Sequence, residues 1–191
     1  MKWHERMSVG TWLLVGAALI ASQALALLAL GQPPICACGY VRFWGGIVSG
    51  PETSQQLTDW YTYSHVIHGI GFYFALWFVA PRVPVTIRFI LALGLEVGWE
   101  IFENTPFIIK RYRQLALAQG YFGDSIVNSV SDTMASAFGF LLARTLPARA
   151  TVALAISVEL FTAFMIRDNL TLNVIQLIHP IEAISRGQTG Q

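Results

Sequence analysis

Charge is what this chain has least of. Only 12% of its 191 residues are Asp, Glu, Lys or Arg, about half of the roughly 25% usual in soluble domains. With 54% apolar residues, six Trp and twelve Phe, the shortage points to lipid as the solvent rather than to a large aqueous core. The net charge of +1 excludes the basic footprint that nucleic-acid binding needs. Basic residues cluster only at Lys110–Arg113, too few for an extended anionic-lipid patch. Cysteine is equally scarce, with one pair, Cys36-Ala37-Cys38. Such a pair can bind a soft metal or close a disulfide, but two thiols alone make an incomplete metal site. Two small buried or loop thiols is the simpler reading. Neither a Gly-x-Ser-x-Gly elbow nor a His-Glu-x-x-His or paired Glu-x-x-His metal motif occurs.

The apolar residues fall in runs. Thr11 to Leu30 holds twenty residues without a charge, enough to span a hydrocarbon core of about 30 Å. Ala24-Leu25-Ala26 offers a signal-peptide cleavage pattern, but the apolar run continues past it, which favours an uncleaved helix. Further runs follow at 64–80, 84–103, 124–146 and 148–166. Leu170 to Ile184 is shorter and broken by Pro180, as expected of one interfacial helix. The expectation is an all-α integral membrane bundle: one domain over 1–191, about five spans and a C-terminal interfacial helix, in contact with the lipid bilayer. Residues 32–63 and the polar stretch from Asn104 to Gly123 read as connections.

Five alternating spans bring the polar residues to one membrane face. His65 and His68 begin the second run, Glu100 and Glu103 end the third, Asp124 and Asn128 begin the fourth, and Arg167, Asp168 and Asn169 end the fifth. Glu96, Glu100 and Glu103 share one helical stripe, and Asp124, Asn128 and Asp132 share another. Carboxylates in apolar runs are costly unless paired, protonated, metal-bound or wetted. Two imidazoles at i, i+3 with nearby carboxylates fit a mixed N/O site for a divalent transition metal, Zn, Mn or Fe. His65, His68, Asp124 and Asp132 are the candidate ligands and Glu100 and Glu103 the candidate bases. Asn104, Asn128, Arg111, Arg113, Arg167 and Asp168 are candidates for holding substrate, the arginines for holding a phosphate.

The competing reading is a hydrogen-bond network between helices, worth about 0.6–2 kcal/mol per bond. Glu96 and Glu159 lie deepest and are expected to be protonated or paired. Arg167-Asp168 reads as an interfacial salt pair, and His179 as structural. Lys and Arg divide six and six between the two faces, so the positive-inside rule gives a tie. Lys2, Arg6 and the short Arg-bearing loops break it by placing the polar cluster outside.

Several strings carry a family likeness: Pro33-Pro34-Ile35-Cys36, Thr58-Asp59-Trp60-Tyr61, Ser64-His65-x-x-His68-Gly69 and Trp99-Glu100-x-x-Glu103-Asn104-Thr105-Pro106. Gly123-Asp124-Ser125-x-x-Asn128-Ser129-x-x-Asp132 and Ile166-Arg167-Asp168-Asn169 continue it. The chain resembles uncharacterised bacterial multi-pass membrane proteins grouped as a family of unknown function. The resemblance implies an inner-membrane location and no assigned activity or protein partner. From the residues themselves, two functions stay open. One is a metal-assisted enzyme on lipid or lipid-linked substrates. The other is a non-enzymatic transporter or ligand-binding membrane protein using the same pocket.

Overall fold

The computed structural model describes residues 8–190; Lys2 and Arg6, used above to orient the chain, lie outside the described residues. Five long helices form a bundle: α1 (Val9–Ala29), α2 (Thr62–Val79), α3 (Val85–Glu103), α5 (Ile126–Thr145) and α6 (Ala148–Ile166). Between α3 and α5 lies a short α4 (Pro106–Tyr112), and two short helices, α7 (Leu170–Ile178) and α8 (Glu182–Thr189), close the chain. The connection before α2 holds one two-residue parallel bridge, β1 (Trp44–Gly45) with β2 (Thr58–Asp59).

Local signals set these boundaries. Ser8, Ser125 and Asn169 accept backbone N–H groups at the starts of α1, α5 and α7, which satisfies donors that a helix start leaves unpaired. Pro84 and Pro147 immediately precede α3 and α6, and Pro106 opens α4, where a missing N–H costs nothing. The stretch from Asn104 to Gly123, expected as a plain connection, therefore contains a helix. The single C-terminal helix expected over 170–184 is instead two helices, because His179-Pro180 interrupts it.

Three of the described helices, α1, α5 and α6, are long and apolar enough to cross a membrane. The polar residues of α2 and α3 lower their apolar character: α2 carries two histidines, and α3 carries Arg88, Glu96, Glu100 and Glu103. Large apolar side chains stand on the outside, among them Leu13, Leu14, Phe138, Ile156, Leu160 and Phe164. The interior mixes apolar side chains such as Leu27, Leu93, Val97 and Phe140 with buried polar ones: Gln23, Glu96, Glu100, Asn128, Ser129, Asp132 and Thr133. That arrangement suits a hydrocarbon surrounding and an inward-facing site.

Helix α5 runs through the centre. Its Gly139 and Gly69 of α2 let the two backbones touch, since a Cβ at Gly139 would lie 2.0 Å from the Val66 carbonyl oxygen. Gln23 fastens α1 to α5, donating to Ser129 Oγ (2.7 Å) and accepting from Thr133 Oγ1 (2.8 Å). At one end of the bundle the connections fold into a cap. Ile126 and Val127 N–H groups donate to Pro33 and Pro34 carbonyls, and Ser125 N–H donates to Ser54 O. A disulfide joins Cys36 to Cys38 in this cap.

Glu159, expected to be protonated or paired, has a specific use. Its carboxylate accepts from Leu170 N–H, Thr171 N–H and Thr171 Oγ1 at the first turn of α7. Glu159→Gln keeps the shape and removes the charge from a helix N-terminus, so α7 should loosen by about 1 kcal/mol. Faster hydrogen exchange confined to residues 170–178 is the expected result; unchanged exchange there would contradict this role.

Candidate functional site

The cap end gathers the first turns of α2 and α5 and the last two turns of α3. Spacing at 1.5 Å per residue puts Glu96 about 10 Å below the end of α3, so the site lies shallow within the bundle. His65 is its centre. Its Nδ1 hydrogen-bonds Glu96 Oε1 at 2.6 Å and lies 3.1 Å from Glu100 Oε1, while its Nε2 lies 3.9 Å from Asp132 Oδ2. His68 Nδ1 is 3.3 Å from both Glu96 oxygens. Glu96 thus bridges two imidazoles, a pairing that accounts for its complete burial.

Glu100 is held from the far side. Ser129 Oγ donates to its Oε2 at 2.6 Å and itself accepts from Gln23. Glu100 Oε1 and Glu96 Oε2 then have beside them only the His65 and His68 Nδ1 atoms that they share with Glu96 Oε1, and the buried Asp132 Oδ1 has no hydrogen-bond partner. Buried carboxylate oxygens without donors are exceptional, and a cation is one way to satisfy them. Two groups present one ligand atom each within 4.8 Å of one another: His65, His68 and Glu96; and His65, Glu100 and Glu103. A third such group, Cys36, Cys38 and Glu52, has its two sulfurs joined to each other.

A cavity of about 50 Å³ opens beside the imidazoles, room for a few waters or one compact polar group. His65, His68, Trp99, Glu103, Asp124 and Asp132 line it, with Tyr61, Tyr112 and Tyr121. Leu170, Asn173 and Val174 of α7 close one side.

The remaining candidates fall in different places. Asp124 lines the cavity, but its oxygens accept from Asn104 Nδ2 (2.6 Å) and Tyr121 OH (2.9 Å), and its N–H donates to Asn104 Oδ1 (2.7 Å). Asn104 therefore positions Asp124 and does not line the cavity. Asn128 donates to Gln56 O and ties α5 to the cap. The three arginines expected to hold a phosphate are drawn elsewhere. Arg111 donates to the Leu177 and Ile178 carbonyls and caps the C-terminus of α7, where cations are favoured. Arg113 donates to Tyr121 O. Arg167 takes a left-handed conformation (φ 56°) at the end of α6, its guanidinium against Gly190. None of the three lines this cavity, and Arg113 borders a second one together with Asn104 and Lys110.

The expected Arg167–Asp168 salt pair does not form. Asp168 instead accepts from Tyr61 OH, Asn169 N–H and Gln188 Nε2. Burial pushes its carboxyl up to about 6, against the pull of those donors. Burial likewise raises Asp59 to about 6, although Tyr61 N–H donates to it. A carboxyl raised in the folded state adds stability below its ordinary pKa near 4 and loses it as pH climbs through 6. Asp168→Asn should remove that loss, up to about 3 kcal/mol. Thermal melts in detergent from pH 4.5 to 6.5 should fall less steeply for the variant. Parallel curves for the two proteins would contradict the assignment.

Sequence reasoning left Glu96, Trp99 and the three tyrosines out of the site. Glu96 shares the stripe of Glu100, so its position was available. The tyrosines come from separated connections and short helices, and no periodicity joins them.

A family model described as "Protein of unknown function (DUF2585)" matches residues 27–190. The chain belongs to this family. It is similar to a UPF0314 protein of Sphingopyxis alaskensis, 50% identical over 177 residues covering 93% of this chain and 94% of the relative. A UPF0314 protein of Sinorhizobium fredii is 46% identical over 187 residues, covering 98% and 95%. One from Paracoccus denitrificans is 49% identical over 172 residues, covering 90% and 89%. No solved structure matches the chain.

Proposed function

We propose that the chain is a five-span inner-membrane protein that holds a divalent transition metal at the cap end and acts as an enzyme on lipid or lipid-linked substrates. One observation carries the reading: a buried histidine faces several carboxylates, with unsatisfied oxygens among them, beside a cavity near the end of the bundle. His65, Glu100 and Glu103 would hold the ion, with His68 and Glu96 fixing His65. When bound, a divalent ion would supply a polarised water at neutral pH. Glu103 lines the cavity and so would open the ion to substrate there, while Tyr61, Tyr112 and Tyr121 line the same space.

The layout of five spans is supported by the helix ends. α2 and α3 have the length of their neighbours, and the polarity that sets them apart belongs to the site. The Cys36–Cys38 disulfide suits an oxidising compartment, which favours the cap facing outward. Single cysteines at exposed positions 43, 114 and 186, in a protein lacking Cys36 and Cys38, should all react with an impermeant maleimide from outside. Positions 82 and 148 should not. Reaction at 82 together with 43 would overturn the topology. For the activity, metal-loaded protein incubated with a bacterial lipid extract should release a lipid fragment visible by mass spectrometry, and Glu103→Gln should abolish the release. Saturable lipid binding without turnover would favour the transporter or ligand-binding reading.

A further inference from the structure

Apart from the two imidazoles, the ionisable groups that line the cavity are acidic or phenolic. Glu103, Asp124 and Asp132 face it together with the rings of Trp99, Tyr61 and Tyr112, and no Lys or Arg is among its lining residues. Asp132 is only 3% exposed, and its Oδ1 has no hydrogen-bond partner. A phosphate or carboxylate entering this space would meet three acidic side chains and no Lys or Arg. A cation would meet carboxylate acceptors and aromatic faces, the two features that recognise ammonium groups.

We infer that the cavity binds a primary ammonium group, carried by an aminolipid headgroup or by a free amine. Asp132 accepts from the ammonium, and Trp99 packs against it. A primary ammonium carries three donors, which suits the unpartnered Asp132 oxygen better than a quaternary one without any. The small volume admits the ammonium end of a headgroup and leaves its phosphate outside the cavity. This rests on the cavity described above but not on the metal.

The test uses the full chain in nanodiscs, both metal-loaded and metal-free, with defined probes. Ethanolamine is titrated by calorimetry, alongside choline and inorganic phosphate. Phosphatidylethanolamine and phosphatidylglycerol are compared by native mass spectrometry. Ethanolamine should bind saturably and at least threefold more tightly than choline, and phosphate should not bind to the metal-free protein. Tighter retention of phosphatidylethanolamine than phosphatidylglycerol identifies the lipid as the source; binding of free ethanolamine alone identifies a soluble amine. Asp132→Asn should weaken ethanolamine tenfold or more, and Trp99→Leu about threefold or more, the latter carrying the test if the former does not fold. Metal-free protein that prefers phosphate or phosphatidylglycerol, or unchanged ethanolamine affinity in both variants, would overturn the inference. Metal-containing protein that binds no amine sinks this inference and leaves the metal site standing. Amine bound by protein that never holds metal does the reverse.

Discussion

His65→Leu should lower the melting temperature by about 10 °C and leave the cap poorly folded. The imidazole is the group that Glu96, Glu100 and Asp132 all approach. Without it Glu100 and Asp132 lose the imidazole between them and Glu96 keeps only His68. Removing one partner of a buried charge pair costs about 3–5 kcal/mol, and a chain of this size loses about 2–4 °C per kcal/mol. His68→Leu should cost less, because His68 contacts only Glu96 within this group, at 3.3 Å, and lies nearer the surface. His179→Ala should change nothing, since His179 is exposed beyond the end of α7. Melts of the three variants in one detergent give the order directly. Equal melting of His65→Leu and His179→Ala would contradict the central position of His65.

Gly139→Ala should be as damaging as any core substitution, although it adds one methyl to a helix. That methyl would meet the Val66 carbonyl at 2.0 Å, and one at Gly69 would meet the Ser136 carbonyl at 1.8 Å. In both cases the obstacle is backbone and cannot rotate away. Helices α2 and α5 would have to part, which also draws His65 from Asp132. Overpacking of this kind costs about 1–3 kcal/mol or more. Gly71→Ala is the control, because nothing lies within 4 Å of its added methyl. It should be neutral or slightly stabilising through helix propensity, by up to about 1 kcal/mol. Similar melting of Gly139→Ala and Gly71→Ala would show that close contact between α2 and α5 does not hold the bundle together.

The positions of the long helices were legible because apolar runs and proline punctuation are local signals. The meeting of His65 with Glu100 near Asp132 was legible from alternation, which brings opposite helix ends together. Directions of side chains were not. Arg111 and Arg113 looked available as phosphate holders, but backbone carbonyls at the end of α7 and at Tyr121 claim them. Those acceptors arise only once the chain is folded. Asp124 looked like a ligand, yet Asn104 and Tyr121 satisfy its oxygens. Asp168 looked like the partner of the adjacent Arg167, but α6 ends in a left-handed turn there and Asp168 bonds Tyr61 and Gln188 instead. Pro180 marked the break between α7 and α8; how α7 folds back over the cavity depends on Glu159, 11 residues before Leu170, and on Arg111, 66 residues before Leu177.

The most direct test of the account is elemental analysis of the protein purified without added chelator. About one transition-metal ion per chain is expected. It should be lost in His65→Gln, which keeps a polar side chain, and retained in His179→Ala. Prolonged chelation should then lower the melting temperature of the wild type, because bound metal stabilises the folded state alone. Metal-free wild-type protein whose melting is unchanged by chelator or by added zinc, manganese or iron would contradict the metal site. The His65 cluster would then stand as a network that joins α2, α3 and α5.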